Sequence, residues 1–117
     1  MTLQQCYQAF GGDYQEVLSR LRADERIARF LQKVVDDGSY ALHVDSIAQG
    51  NGEEAFRAAH TLKGVCANLS ITRLGESSSA LTEALRDRVI TDNVQPLLQR
   101  VTEDYNLTIS SILQLDK

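Results

Sequence analysis

Apolar residues return every third or fourth position along this chain, and almost nowhere do they alternate with polar ones. That spacing is the signature of helices burying one face, and strand signals are nearly absent. Pro96 is the only proline, so glycines and short polar residues do the punctuating. Residues 3–10 form a short helix ended by Gly11-Gly12, and Asp13 can cap a second at 14–21. Asp24 can cap a third at 25–37, with Ile27, Phe30, Leu31, Val34 and Val35 on one stripe and Gly38 as its stop. Ser39 caps 40–49, with Leu42, Val44 and Ile47 apolar, and Gly50-Asn51-Gly52 stops it. A long helix follows at 53–69. Thr72 caps the next, 73–88, with Leu74, Ser78, Leu81, Ala84 and Leu85 facing inward. Asp92 or Asn93 starts the last helix, with Pro96 in its first turn, where a missing N–H costs least. It carries Val94, Leu97, Leu98, Val101, Tyr105, Ile109, Ile112 and Leu113. The expected fold is all-α: an antiparallel up-and-down four-helix bundle at 39–115, with N-terminal cap helices at 1–37 covering one end. At 117 residues the chain should form one domain.

Charge and composition exclude several functions. Sixteen acidic against twelve basic residues give a net charge of −4, and the basic ones are scattered. A nucleic-acid partner is therefore not expected. No apolar run approaches the roughly 18 residues of a membrane span, and the N-terminus has no signal-peptide pattern. Cys6 and Cys66 make no disulfide framework, and two reduced thiols fit the cytoplasm. No glycine-rich nucleotide loop occurs, so the chain should lack ATP-dependent kinase activity of its own.

His60 stands on the wrong side of its helix to be core. At about 100° per residue the apolar stripe of 53–69 is Ala55, Ala58, Leu62, Val65, Cys66 and Leu69. His60 projects roughly opposite, towards solvent. Near it on the helix lie Phe56, Arg57, Lys63 and Gly64, with Ala67 two turns on. A mid-helix glycine costs about 1 kcal/mol relative to alanine, so Gly64 suggests that something approaches the imidazole closely. An imidazole free in water is mostly neutral near neutral pH and can act as a nucleophile. Lys63 would offer a point charge to an incoming anion, and Arg57 a second that diverges to the other side. Phe56 would add apolar docking surface or pack at the edge of the core.

The run from Ala59 to Leu69, AHTLKGVCANL, resembles the signature of histidine-containing phosphotransfer (HPt) domains of bacterial phosphorelays. Leu74, Leu81, Glu83, Ala84 and Arg86 resemble the family's following helix. The likeness covers most of the chain in helix layout and residues 53–88 in detail. Ser70 stands where the family often has glycine, and Glu83 follows Leu81 one position later than the common Leu-Glu pair. The resemblance implies that His60 accepts a phosphoryl group from a receiver-domain aspartate and passes it to another receiver. Lys63 would touch the phosphoryl group, and Gly64 would admit the partner. Phe56, Arg57 and Ala67 would border the docking face. Response-regulator receivers and a hybrid sensor kinase are the implied partners. Mg²⁺ would come with the receiver, this chain binding no cofactor or metal, and a monomer is expected.

Other readings are weaker. A helical adaptor that binds a receiver or kinase without being phosphorylated is the alternative function, but it need not keep His60, Lys63 and Gly64 together. A chemotaxis-kinase module would need an ATP-binding domain. His43 has no Lys-Gly pair after it and reads as a surface residue. His43, His60, Cys6 and Cys66 lack metal-ligand spacing. Ser77-Ser78-Ser79 reads as small residues between helices, and Asn68 as a bundle-side hydrogen bonder.

Overall fold

The computed structural model describes residues 1–37 and 39–115, and of Ser39, Leu42 and His43 the backbone alone. Among the described residues there are seven α-helices and no strand: α1 (Leu3–Phe10), α2 (Tyr14–Leu21), α3 (Asp24–Asp36), α4 (Ser39–Ala48), α5 (Gly52–Leu69), α6 (Thr72–Ala84) and α7 (Val94–Ile112). None is long and apolar enough to cross a membrane. The expected all-α helical bundle is what the chain forms.

The first two helices begin and end where the sequence places them. Thr2 and Gln5 make a reciprocal capping box at α1. Asp13 accepts the Glu16 N–H at 3.0 Å and so caps α2. Asp24 does not cap α3. Its carboxylate accepts the Tyr14 hydroxyl at 2.6 Å, and the N-cap falls to Ala23, which has no side chain for the role. The Gly38 stop, the Ser39 cap and the inward placing of Leu42 lie outside the described residues.

The largest departure is at α6. It ends at Ala84 and not at 88. Leu85 N–H is shared between the carbonyls of Leu81 and Thr82, and Arg88 N–H donates to Leu85 O at 2.8 Å. These tighter bonds wind the chain into a turn. After Leu85 the segment Arg86-Asp87-Arg88 has nothing apolar to bury, so packing no longer pulls it along the helix. Arg88 closes the turn in the left-handed region, at φ 61°.

Helices α4, α5, α6 and α7 pack as successive neighbours. Tyr40 of α4 stacks on Tyr105 of α7 at 3.9 Å, and its hydroxyl donates to Thr102. Helix α1 lies on α7, while α3 packs on α7 and α5. One hydrophobic cluster joins Cys6, Tyr7, Phe10 and Val17 to Leu62, Leu74, Leu81, Leu85 and Val101. Each such large side chain contributes about 1.5–3 kcal/mol by burial. Two residues assigned to apolar stripes are exposed: Leu113, past the end of α7, and Phe30, whose ring lies under the Lys33 ammonium.

Candidate functional site

Helix α5 is built to hold its ends firmly. Asn51 accepts the Glu54 N–H at the start, and Glu53 and Glu54 place negative charge in the first turn, where the helix dipole favours it. At the other end the carbonyls that no helical N–H can reach all find partners. Tyr7 donates its hydroxyl to Leu69 O at 2.7 Å. Arg20 donates to Ala67 O and Asn68 O, and Asp13 N–H to Ser70 O at 2.9 Å. Residues of α1 and α2 therefore finish the helix that carries His60. Ser70 is its C-cap in the left-handed region, at φ 55°. That conformation explains why glycine suits this position, and why serine here is compensated: its hydroxyl donates to Glu16 at 2.6 Å and accepts from Arg20.

The buried side of α5 is Ala55, Ala58, Ala59, Leu62, Cys66 and Leu69. Val65, assigned to that stripe, is half-buried and borders a groove described below. His60, Gly64, Ala67 and Arg57 are exposed, and Lys63 and Phe56 half-buried. A Cβ added at Gly64 would meet nothing within 4 Å, so no helix crossing requires this glycine. The close crossing of α5 with α6 is at Gly75, where an added Cβ would come within 3.3 Å of Cys66 Cβ. Along the helix, Phe56, Lys63 and Ala67 diverge from His60 towards α6, and Gly64, Arg57 and Asn68 the other way.

The two cations near His60 differ. Arg57 is paired with Glu54 at 3.1 Å. Lys63 has no ion-pair partner among the described residues. It lines a shallow cleft between α5 and α6 with Ala67, Ser70, Gly75 and Ser79. Glu83, across on α6, has a carboxyl held below its usual range by its hydrogen bond with Arg86, with a smaller contribution from Lys63. Asn68 does not bond within the bundle. Among the described residues its exposed side chain has no hydrogen-bond partner, while its backbone carbonyl accepts from Arg20.

Two residues near the site were not singled out by the sequence. Phe30 reaches the surface and, with Leu21, Val34, Val65 and Leu69, lines an apolar groove of about 450 Å³ beside α5. Its helical spacing signalled core, and nothing in the sequence distinguishes a stripe residue at the rim. Arg88 stands over the Phe56 ring, its guanidinium carbon 4.1 Å from the ring centroid. The Phe56 ring in turn lies nearly parallel to the His60 imidazole, 6.0 Å away. Only the long-range fold brings Arg88 there. His43, read as a bland surface residue, lies outside the described side chains. Among the described residues no three His, Cys, Asp or Glu side chains gather as a metal site. Ser77 and Ser78 are fully buried between helices, with Ser77 donating to Leu74 O.

Comparison with curated proteins and with solved structures found no match. The family description that matches is the Hpt domain, over residues 3–106. With that match spanning most of its length, the chain belongs to the Hpt domain family, whose role is phosphotransfer in two-component signalling through receiver domains.

Proposed function

We propose that His60 is the phosphoacceptor of a phosphorelay intermediate, taking a phosphoryl group from a receiver aspartate and passing it to another receiver. The observation that carries this reading is the open face of α5. Its only imidazole stands in solvent beside a glycine that packing does not require. The lone pair of a ring nitrogen forms the N–P bond as the O–P bond of the aspartyl phosphate breaks and the carboxylate leaves. The other ring nitrogen carries the proton, so the ring becomes cationic as the N–P bond forms; that proton can then leave to solvent, and is regained before the reverse step. Lys63, unpaired and one turn away, meets a group that brings up to about two negative charges. His60, Lys63 and the space at Gly64 supply position and charge, and the receiver supplies the rest, including Mg²⁺. Phe56 and Ala67 give the partner a low, partly apolar border, and Arg57, already paired with Glu54, borders the site without a contact to the imidazole.

The test is incubation with a phosphorylated receiver domain, followed by locating the phosphate under alkaline conditions. His60→Gln should take up none while keeping the parent's helical circular dichroism, and His43→Gln should transfer normally. Uptake by the His60→Gln protein at the parent rate would refute the assignment.

A further inference from the structure

An imidazole on a solvent face can exchange between rotamers freely, and each exchange is time lost for attack. Here it has a neighbour that can restrict it. The Phe56 ring is inclined only 11° to the imidazole plane at 6.0 Å, and it is half-buried against the core cluster. The phenyl ring is covered in turn by Arg88, whose guanidinium carbon lies 4.1 Å from the ring centroid. The position of Arg88 is fixed by backbone and not by its own long side chain. Its peptide sits directly against Gly52, the first residue of α5: a Cβ there would come within 1.9 Å of Arg88 O. Its N–H donates to Leu85 O, its guanidinium to Arg86 O, and its backbone takes the left-handed conformation of a tight turn at φ 61°. The α6–α7 turn is thus locked to the N-terminus of α5, one turn before Phe56.

We propose that Arg88 and Phe56 are positioning residues for His60. Arg88 clamps the phenyl ring by a cation–π contact, and the ring confines the imidazole to the orientation presented to a partner. The gain is in pre-paid orientation and not in docking. The proposal rests on the reading of His60 as phosphoacceptor. It predicts which kinetic quantity should fall in Arg88→Gln: the rate at saturating phospho-receiver, with the half-saturating concentration unchanged; Phe56 also borders the docking face, so Phe56→Leu is judged by its maximal rate alone. Lysine should serve poorly at position 88, because an ammonium cannot lie flat on the ring.

The experiment compares the full chain with Phe56→Leu, Arg88→Gln and Arg88→Lys. Rapid-quench transfer from a phosphorylated receiver gives the maximal rate and the half-saturation, and NMR of the unphosphorylated protein follows the His60 ring protons. Phe56→Leu and Arg88→Gln should each lower the maximal rate by about tenfold, with Arg88→Lys in between. In both, the His60 ring signals should lose their ring-current displacement and show rotamer averaging, at an unchanged thermal midpoint for Arg88→Gln. A parent-like maximal rate in Arg88→Gln would overturn the proposal, as would a loss confined to half-saturation, which would make Arg88 a docking residue. Unmoved His60 signals in both variants would overturn it too. If the parent itself takes no phosphate on His60, the functional reading fails, and the NMR arm still decides whether the clamp exists.

Discussion

The same substitution at three glycines should give three different outcomes, and the difference follows from what a methyl group would meet. At Gly64 an added Cβ meets nothing within 4 Å. Gly64→Ala then removes only the helix penalty of glycine and should stabilise the protein by about 0.5–1 kcal/mol. For a chain of this size that is a rise of roughly 2–4 °C in thermal midpoint. At Gly75 the Cβ would stand 3.3 Å from Cys66 Cβ, so α5 and α6 must part slightly and the gain should vanish or reverse. At Gly52 it would strike the Arg88 carbonyl at 1.9 Å, so Gly52→Ala should destabilise and loosen the α6–α7 turn. Function separates from stability at Gly64 alone. Gly64→Leu should melt close to the parent, since its side chain projects into solvent, yet its uptake from a phospho-receiver should fall by about tenfold or more through obstruction of close approach. Differential scanning calorimetry of the alanine series and rapid-quench transfer by the leucine variant measure both. A clear drop in midpoint for Gly64→Ala would refute the open-face reading. An unimpaired rate for Gly64→Leu would refute the idea that a partner comes close there.

Lys63→Ala should leave the midpoint within about 1 kcal/mol of the parent, as an unpaired surface charge does. It should slow phosphoryl transfer or move its equilibrium towards the receiver, and unchanged kinetics and equilibrium would remove Lys63 from the site. The buried thiols set an alkaline limit. Burial pushes Cys66 up to about 12 and Cys6 to about 11, from an ordinary 9.0. A raised folded-state value means the stabilisation is complete below 9.0 and lost as pH climbs towards those values. Between about pH 8.5 and about pH 11 the parent should therefore lose more stability than Cys66→Ala in chemical denaturation, and equal losses would count against the burial of Cys66 as their cause.

Helix existence was legible because each stripe recurs at helical spacing and several boundaries are marked by a glycine or a polar cap, as at Gly11 and Asp13. His60 was legible for the same reason: its angle from Ala55, Leu62, Cys66 and Leu69 can be read from residue numbers alone. What could not be read depends on contacts between distant segments. Asp24 looks like a cap until Tyr14 is seen to occupy it. Residues 85–88 continue a plausible helix until the Arg88 peptide is seen against Gly52. Phe30 fits its stripe by angle, but α3 leaves that edge uncovered. The left-handed Ser70 was visible as a departure from the family pattern, but not its reason, which lies in Glu16 and Arg20 more than forty residues upstream.

Helix α5 must satisfy two demands that conflict along its length. A reactive imidazole needs small neighbours, yet Gly64 weakens the helix and Ala67 adds little packing on the exposed side. The structure places compensation at the ends. Asn51, Glu53 and Glu54 satisfy the positive N-terminus, and Tyr7, Asp13 and Arg20 take up the carbonyls of the last turn. Three alanines on the buried side allow neighbouring helices to approach closely without bulky side chains that would reorganise when the other face changes. No hydrogen bond or ion pair of the fold involves the His60 side chain among the described residues, its one recorded contact being the Phe56 ring. A phosphoryl group can then be added there or removed without breaking anything that holds the helix. This is the physical condition that the proposed relay role sets, since the two states of such an intermediate must lie close in energy for transfer to run onward.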